Sequence, residues 1–122
     1  FYPKDMTPGC TTQACNFRDQ HKKFKDTVIL GVSIDSSERH QKFIAKYDLP
    51  FTLIADIDKK VVQKYGVWQE KKLYGKTFMG IVRTTIIIDK TGTIQKIFPK
   101  VKVKNHIEEV LFELKKIYKT TS

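Results

Sequence analysis

The strongest constraint on the fold is an alternation of two periodicities along the chain. Short apolar runs at residues 28–34, 51–55 and 82–88 read as strands, and other segments place apolar residues three and four apart, as helices do. Strands that alternate with helices require a mostly parallel sheet covered by helices, because a parallel neighbour is reached only through a long crossover. Phe1-Tyr2-Pro3 reads as the apolar end of a strand. Thr7-Pro8 then starts a helix, with Thr as N-cap and Pro at the first helical position, and Cys10, Ala14, Phe17, His21 and Phe24 carry it to about residue 24. Asp35-Ser36 caps a second helix with the stripe Phe43, Ile44 and Tyr47, stopped by Leu49-Pro50. Asp56 or Asp58 caps a third, closed by Gly66, and residues 67–79 follow as an irregular stretch. Strands at 82–88 and 93–98 form a hairpin about Asp89-Lys90-Thr91-Gly92. Asn105 with Glu108 gives the capping-box pattern of a last helix ending near Tyr118.

No repeat, low-complexity tract or linker interrupts the 122 residues, so 1–122 reads as a single domain. Hydrophobic residues make up 40% of the chain, enough for one core and too many for a disordered polymer. Its longest aliphatic runs, Val28-Ile29-Leu30 and Ile86-Ile87-Ile88, fall far short of the roughly 20 residues that cross a membrane. The first residue is Phe rather than Met, and a domain seldom opens on bare strand residues. The sequence therefore reads as a domain entered partway, N-terminally incomplete, with any targeting segment upstream.

Two cysteines cannot build a disulfide framework, so their placement has to carry the information. With Thr7 as N-cap, Cys10 falls in the first helical turn, where unpaired N–H groups and the helix dipole favour a thiolate, the nucleophilic form. Gly9 leaves the backbone beside it open to a small reactant. A lone cysteine is more often just a small buried residue; the Thr-Pro-Gly-Cys setting favours a reactive one. Cys15 lies five residues on, which in an intact helix separates the Cα atoms by about 8.6 Å, beyond the roughly 4.4–6.8 Å of a disulfide. The pair can bond only if the helix unwinds locally, which suits a switch better than a staple. His21, His40 and His106 are scattered, none at ligand spacing from a second partner, so no metal site is expected.

Pro3-Lys4-Asp5-Met6-Thr7-Pro8-Gly9-Cys10 fits the P-x-x-x-T-x-x-C pattern of the peroxiredoxins. The continuation Thr11-Thr12-Gln13-Ala14-Cys15-Asn16-Phe17-Arg18-Asp19 resembles the bacterioferritin-comigratory-protein (PrxQ) branch, in which the second cysteine lies five residues after the first. Further likeness runs through Gly31-Val32-Ser33, Leu49-Pro50-Phe51, Tyr65-Gly66-Val67-Trp68 and Tyr74-Gly75-Lys76 to Met79-Gly80-Ile81-Val82-Arg83-Thr84-Thr85 and Ile88-Asp89-Lys90-Thr91-Gly92. This resemblance implies a thioredoxin-like α/β fold of the peroxiredoxin type, a central mixed sheet flanked by helices, with N-terminal strands missing from the present sequence. By the same resemblance Cys10 is the peroxidatic cysteine and Cys15 the resolving cysteine, and Pro3, Thr7 and Arg83 complete the peroxide pocket.

The implied activity is reduction of hydrogen peroxide and organic hydroperoxides, with a thioredoxin- or glutaredoxin-like protein reopening the Cys10–Cys15 disulfide. No metal, haem or flavin enters it. Arg83, permanently charged and forked, suits an anionic centre, and its apolar neighbours place it on a buried strand. Thr7 is expected to cap the helix and orient the thiolate or peroxide through its hydroxyl. Pro3 shapes the loop, and Gln13, one turn past Cys10, can hydrogen-bond in the pocket alongside Gly9. Trp68 reads as a packing residue. A bacterial cytoplasm and a monomer or weak homodimer are the expected setting.

Charge suggests a competing reading. The chain has 23 Lys and Arg against 13 Asp and Glu, a net +10, but half of the excess lies in residues 1–89 rather than in one basic tail. Lys22, Lys23 and Lys25 cluster at a helix end, and Lys100, Lys102 and Lys104 alternate with valines. No nucleic-acid-binding motif accompanies them, so they read as a solvated surface. A thiol–disulfide oxidoreductase or holdase on the same fold is the third reading. Asp56-Ile57-Asp58 and Asp89-Lys90-Thr91-Gly92 lack the spacing of calcium loops and read as caps and turns.

Overall fold

Tyr2 and Phe1 sit between two strand pairs and join them. The computed structural model describes residues 1–24 and 26–121, so Lys25 of the basic cluster lies outside the described residues. The first strand, β1 (Leu30–Ser33), pairs in parallel with β2 (Thr52–Ala55), Leu30 opposite Thr52 and Ser33 opposite Ala55. On its other side β1 receives the Tyr2 N–H at the Val32 carbonyl, 3.0 Å. Phe1 in turn exchanges hydrogen bonds in both directions with Thr84, at 2.8 and 3.1 Å, just ahead of β5 (Thr85–Ile88). The last strand, β6 (Ile94–Phe98), pairs antiparallel with β5. The spatial order is thus β2, β1, Phe1-Tyr2, β5, β6: mixed, with a parallel pair on one side and a hairpin on the other. A glycine makes the first junction possible. A Cβ on Gly31 would lie 2.5 Å from Leu53 and 3.2 Å from the Tyr2 ring.

Helix α1 (Pro8–Asp19) starts where Thr7-Pro8 places it but ends earlier than its apolar period suggests. Gln20 leaves the helical region, a 3₁₀ turn covers His21–Lys23, and Phe24 folds inward to stack 5.6 Å from Phe17. Between β1 and β2 runs α2 (Ser37–Tyr47), with the Ser36 hydroxyl accepting from Arg39 N–H at 3.2 Å. Asp35 takes no part in that cap; its carboxylate is buried. The helix stops at Asp48, which adopts φ 51°, before Leu49-Pro50 is reached. A short α3 (Lys60–Lys64) is held by Asp56, which accepts from Val62 N–H at 2.8 Å.

Residues 67–79, expected to be irregular, contain a regular hairpin. β3 (Trp68–Leu73) pairs antiparallel with β4 (Lys76–Ile81) across Tyr74-Gly75, whose φ values of 51° and 75° match a two-residue turn of the hairpin type. The final helix, α4 (His106–Thr121), begins without the expected capping box: Asn105 stands at φ 62°, outside the extended conformation a capping residue needs. At Asp89 the expected turn forms fully, its carboxylate accepting from the N–H groups of Thr91 and Thr93, the Thr91 hydroxyl and the Gln95 amide.

Among the described residues, three apolar clusters lock these elements. Phe24, Ile87, Ile107, Val110 and Leu114 pack α4 onto β5. Val32, Val62, Val67 and Ile81 join β1, α3 and the base of the β3–β4 hairpin. The third cluster, Tyr2, Cys10, Phe43 and Leu49, puts the first cysteine inside the core between α1 and α2. Among the described residues, no helix is long and apolar enough to cross a membrane.

Candidate active site

Residues 3–9 form the loop that feeds α1. Pro3 opens it, half-buried, directly after the Tyr2 junction with β1. Thr7 occupies the N-cap position, and its carbonyl accepts the first intrahelical bond from Thr11 N–H at 2.9 Å. Its side chain, expected to cap the helix, does not: the hydroxyl donates to the Lys4 carbonyl at 2.8 Å, closing the loop on itself. The proton is thereby committed, and the hydroxyl oxygen keeps its lone pairs for an approaching O–H.

Cys10 lies in the first turn of α1 and is only 3% exposed. The Arg83 guanidinium reaches it from the opposite side, with Nη2 3.3 Å from Sγ. The other prong, Nη1, donates to Gln13 Oε1, so one planar group spans two residues three apart on the same helix face. Arg83 is not on a strand, as its apolar neighbours suggest. It lies in the three-residue connection between β4 and β5, fixed by its carbonyl, which accepts from Val101 N–H at 2.9 Å. Strand geometry would aim the side chain along one sheet normal; the connection lets it turn over the end of α1. Gly9 completes this arrangement. A Cβ there would sit 3.2 Å from Arg83 Nη2, so the missing side chain is where the guanidinium passes.

The structure thus brings Cys10, Gln13, Gly9 and Arg83 together, with Thr7 and Pro3 on the loop above. Cys15 is not brought to Cys10. Both are free thiols on the same unbroken helix, Cys10 buried and Cys15 half-buried.

Sequence reasoning missed a second group beneath the loop. Asp5, Asp35 and His40, all buried, place ligand-type atoms within 4.8 Å of one another. These atoms are already engaged: Asp5 by the Tyr2 hydroxyl and His40, Asp35 by Ser33 and Arg39, and His40 by the Ile54 carbonyl as well. Burial, and then the hydrogen bond to Asp5, push the Tyr2 hydroxyl far above the usual tyrosine range. The residue types are ordinary and up to 35 positions apart, so only the folded chain reveals the group.

A buried thiol in the first turn of a helix, with an arginine fork beside it in a mixed α/β frame, is the arrangement a cysteine-based redox centre requires. The family description "AhpC/TSA family" matches residues 1–97. Peroxiredoxin Bcp of Bacillus subtilis (strain 168) is 55% identical over 117 residues, covering 94% of this chain and 74% of that protein. Peroxiredoxin Bcp of Escherichia coli (strain K12) is 45% identical over 117 residues, covering 94% and 75%. Among solved structures, a variant of Xylella fastidiosa PrxQ superposes with a TM-score of 0.91 at 38% identity, covering 97% of this chain and 74% of its own. The bacterioferritin comigratory protein of Xanthomonas campestris, solved for its alkyl peroxide reduction activity, gives a TM-score of 0.88 at 40% identity, covering 94% and 74%. The chain belongs to the AhpC/TSA peroxiredoxins, in the bacterioferritin-comigratory-protein (PrxQ) branch, and is a thiol-dependent peroxidase.

Proposed function

We propose that Cys10 is the peroxidatic cysteine of this enzyme and Cys15 its resolving partner, with Arg83, Thr7 and Pro3 forming the peroxide site. One observation carries this reading: the 3.3 Å approach of Arg83 Nη2 to the buried Cys10 Sγ. A guanidinium there sets a fixed positive charge and a donor beside the attacking sulfur, and it stays in place for the charge that develops on the peroxide as the O–O bond breaks. The Cys10 thiolate attacks one peroxide oxygen; an S–O bond forms, the O–O bond breaks, and the leaving oxygen takes a proton to depart as water or an alcohol. Thr7, its own proton committed to Lys4, accepts the hydrogen bond of the incoming O–H. Gln13 holds the second prong of Arg83, and Gly9 keeps the approach clear. Pro3 sets the loop and shields its inner side.

The Cys15 thiolate then attacks the Cys10 sulfenic sulfur. The S–S bond forms, the S–O bond breaks, and water leaves. A dithiol protein of the thioredoxin or glutaredoxin type restores both thiols, and a net charge of +10 favours a partner with an acidic rim. Relatives named Peroxiredoxin Bcp are bacterial, which supports a bacterial setting; a reducing cytoplasm would keep both thiols available. Residues 1–122 act here as one domain.

Intact mass before and after one equivalent of hydrogen peroxide tests the scheme. The wild-type chain should lose two hydrogens, and Cys15→Ser should gain one oxygen and stall without cycling. Cys10→Ser should do neither. Full multiple-turnover peroxidase activity in Cys10→Ser would overturn the assignment.

A further inference from the structure

The motif Pro3-x-x-x-Thr7 leaves three positions open, and the structure treats them very differently. Lys4 and Met6 are exposed, whereas Asp5 is completely buried. Its N–H donates to Asp35 Oδ2 at 2.8 Å, and its carbonyl accepts from Arg39 Nη2 at 2.9 Å. Its carboxylate accepts the Tyr2 hydroxyl at Oδ1 and meets His40 Nδ1 at Oδ2. His40 extends the chain of contacts to the Ile54 carbonyl at 3.0 Å. A single loop residue is therefore tied to the end of β1, to α2 and, through His40, to β2.

The next residue shows what the tie supports. Met6 adopts φ 66°, a left-handed conformation that a side chain disfavours, and the Thr7 hydroxyl closes on Lys4 across it. This strained turn reverses the chain from the Asp5 anchor into the N-terminus of α1, where Cys10 lies. Without the anchor, relaxation at Met6 would move Thr7 and the first turn of the helix relative to Arg83, which is fixed independently through Val101. We propose that Asp5, clamped by Tyr2 and His40, is a positioning residue that holds the strained Met6 turn and so sets the geometry of Cys10 and Thr7 toward peroxide. The inference rests on the peroxidase reading and adds to it Asp5, whose hydrogen-bond partners are Tyr2, His40, Asp35 and Arg39 rather than the thiol.

Hydrogen-bond inventory supplies a discriminating substitution. The Ile54 carbonyl only accepts, so His40 Nε2 carries a hydrogen, and one proton lies between His40 Nδ1 and the Asp5 carboxylate. In Asp5→Asn, Oδ1 can still accept from Tyr2 and Nδ2 can donate to a neutral His40 Nδ1, so the clamp survives. In Asp5→Leu, of similar size, the backbone ties remain but both side-chain contacts are lost.

The test uses the full chain in a Cys15→Ser background, at a temperature where near-ultraviolet circular dichroism shows each variant folded. Two rates are compared: oxidation of Cys10 by hydrogen peroxide, and its alkylation by iodoacetamide, which needs a free thiolate but no peroxide geometry. Asp5→Leu should slow oxidation about 10- to 100-fold, with alkylation unchanged or faster because a loosened loop exposes the thiol. Asp5→Asn should stay within about 3-fold of the parent in both, since its clamp is intact. Oxidation at the parent rate, or equal loss of both rates, would overturn the proposal. If Asp5→Leu does not fold, Tyr2→Phe decides: oxidation should fall about 3- to 10-fold with alkylation held, and no fall overturns it. A parent chain whose Cys10 meets peroxide no faster than an exposed model thiol would instead remove the peroxidase reading itself.

Discussion

Arg83 divides one guanidinium between Cys10 Sγ and Gln13 Oε1, and Gly9 leaves room for the prong that reaches the sulfur. Gly9→Ala therefore separates activity from stability. Alanine is the better helix former by up to about 1 kcal/mol, so the folded state should be as stable as wild type or more so. The new Cβ would press on Nη2 from 3.2 Å, and the guanidinium, being the far end of a flexible side chain, would give way. Its contact with Sγ lengthens, and the rate of Cys10 oxidation by peroxide should fall about 10-fold, part of the roughly 100-fold or greater loss typical when one such donor is removed outright. Stopped-flow oxidation with a parallel urea melt measures both. An unchanged rate would mean that the 3.3 Å contact does not govern attack. Cys10 is legible in the sequence through its Thr7-Pro8-Gly9-Cys10 setting, whereas Arg83 is legible only through the family resemblance. Asp5 and His40 are not, because a buried Asp–His contact across 35 residues leaves no local pattern. Even for Arg83, apolar neighbours correctly signalled partial burial but wrongly implied a strand.

At the scale of elements, α1 carries a conflict between its two cysteines. Within an intact helix their Cα atoms stand about 8.6 Å apart, too far for a disulfide. One end of the helix is well anchored: Arg18 Nη1 donates at 2.8 Å to the Tyr47 carbonyl, filling one of the unpaired acceptors at the end of α2. The other end rests on the loop and on Cys10's place among Tyr2, Phe43 and Leu49. Unwinding should therefore be confined to the first half, ahead of Arg18. Far-ultraviolet circular dichroism of the oxidised protein should show a loss of roughly two helical turns, whereas Cys15→Ser oxidised to the sulfenate should keep its signal. A mass-confirmed Cys10–Cys15 disulfide with undiminished helix would sink the switch. The start of α1 is legible because Thr7-Pro8 is a strong signal. The β3–β4 hairpin is not, because Gln69, Glu70 and Lys72 face solvent and Tyr74 replaces the Asn or Asp expected ahead of Gly75. Charge on an exposed ribbon hides the alternation that a half-buried strand displays.

For the whole molecule, alternating strands and helices made the α/β class legible. The mixed order of the sheet depends instead on Phe1 and Tyr2 joining β1 to the chain ahead of β5, a long-range placement that periodicity does not encode. The same assembly gives stability a definite pH dependence. His106, buried at the start of α4 with Nε2 2.8 Å from Thr85 Oγ1, has its pKa lowered by burial, with nearby Glu109 opposing and Arg83 adding to the effect. The folded chain keeps it neutral while the unfolded chain takes up a proton near pH 6.5. Its contribution is whole above that value and is lost as pH falls through the lowered folded pKa. Tyr2 has the opposite sense. Its pKa is raised by burial and by Asp5, so its contribution is whole below about pH 10 and declines as pH rises beyond it. Asp89, held down to about 2 by Thr91, Thr93 and Gln95, adds a further loss only below its unfolded value of 3.8. Burial likewise lowers the Phe1 amino group from 8.0 to about 6, a contribution lost as pH falls below 8, so urea midpoints should peak between roughly pH 8 and pH 9, with limbs of separate origin. His106→Asn should flatten the limb just below pH 6.5 while leaving the alkaline limb unchanged, and Tyr2→Phe should do the reverse. An acid limb in His106→Asn as steep as in wild type would mean that protons enter the unfolding reaction elsewhere, and would remove the buried histidine from this account.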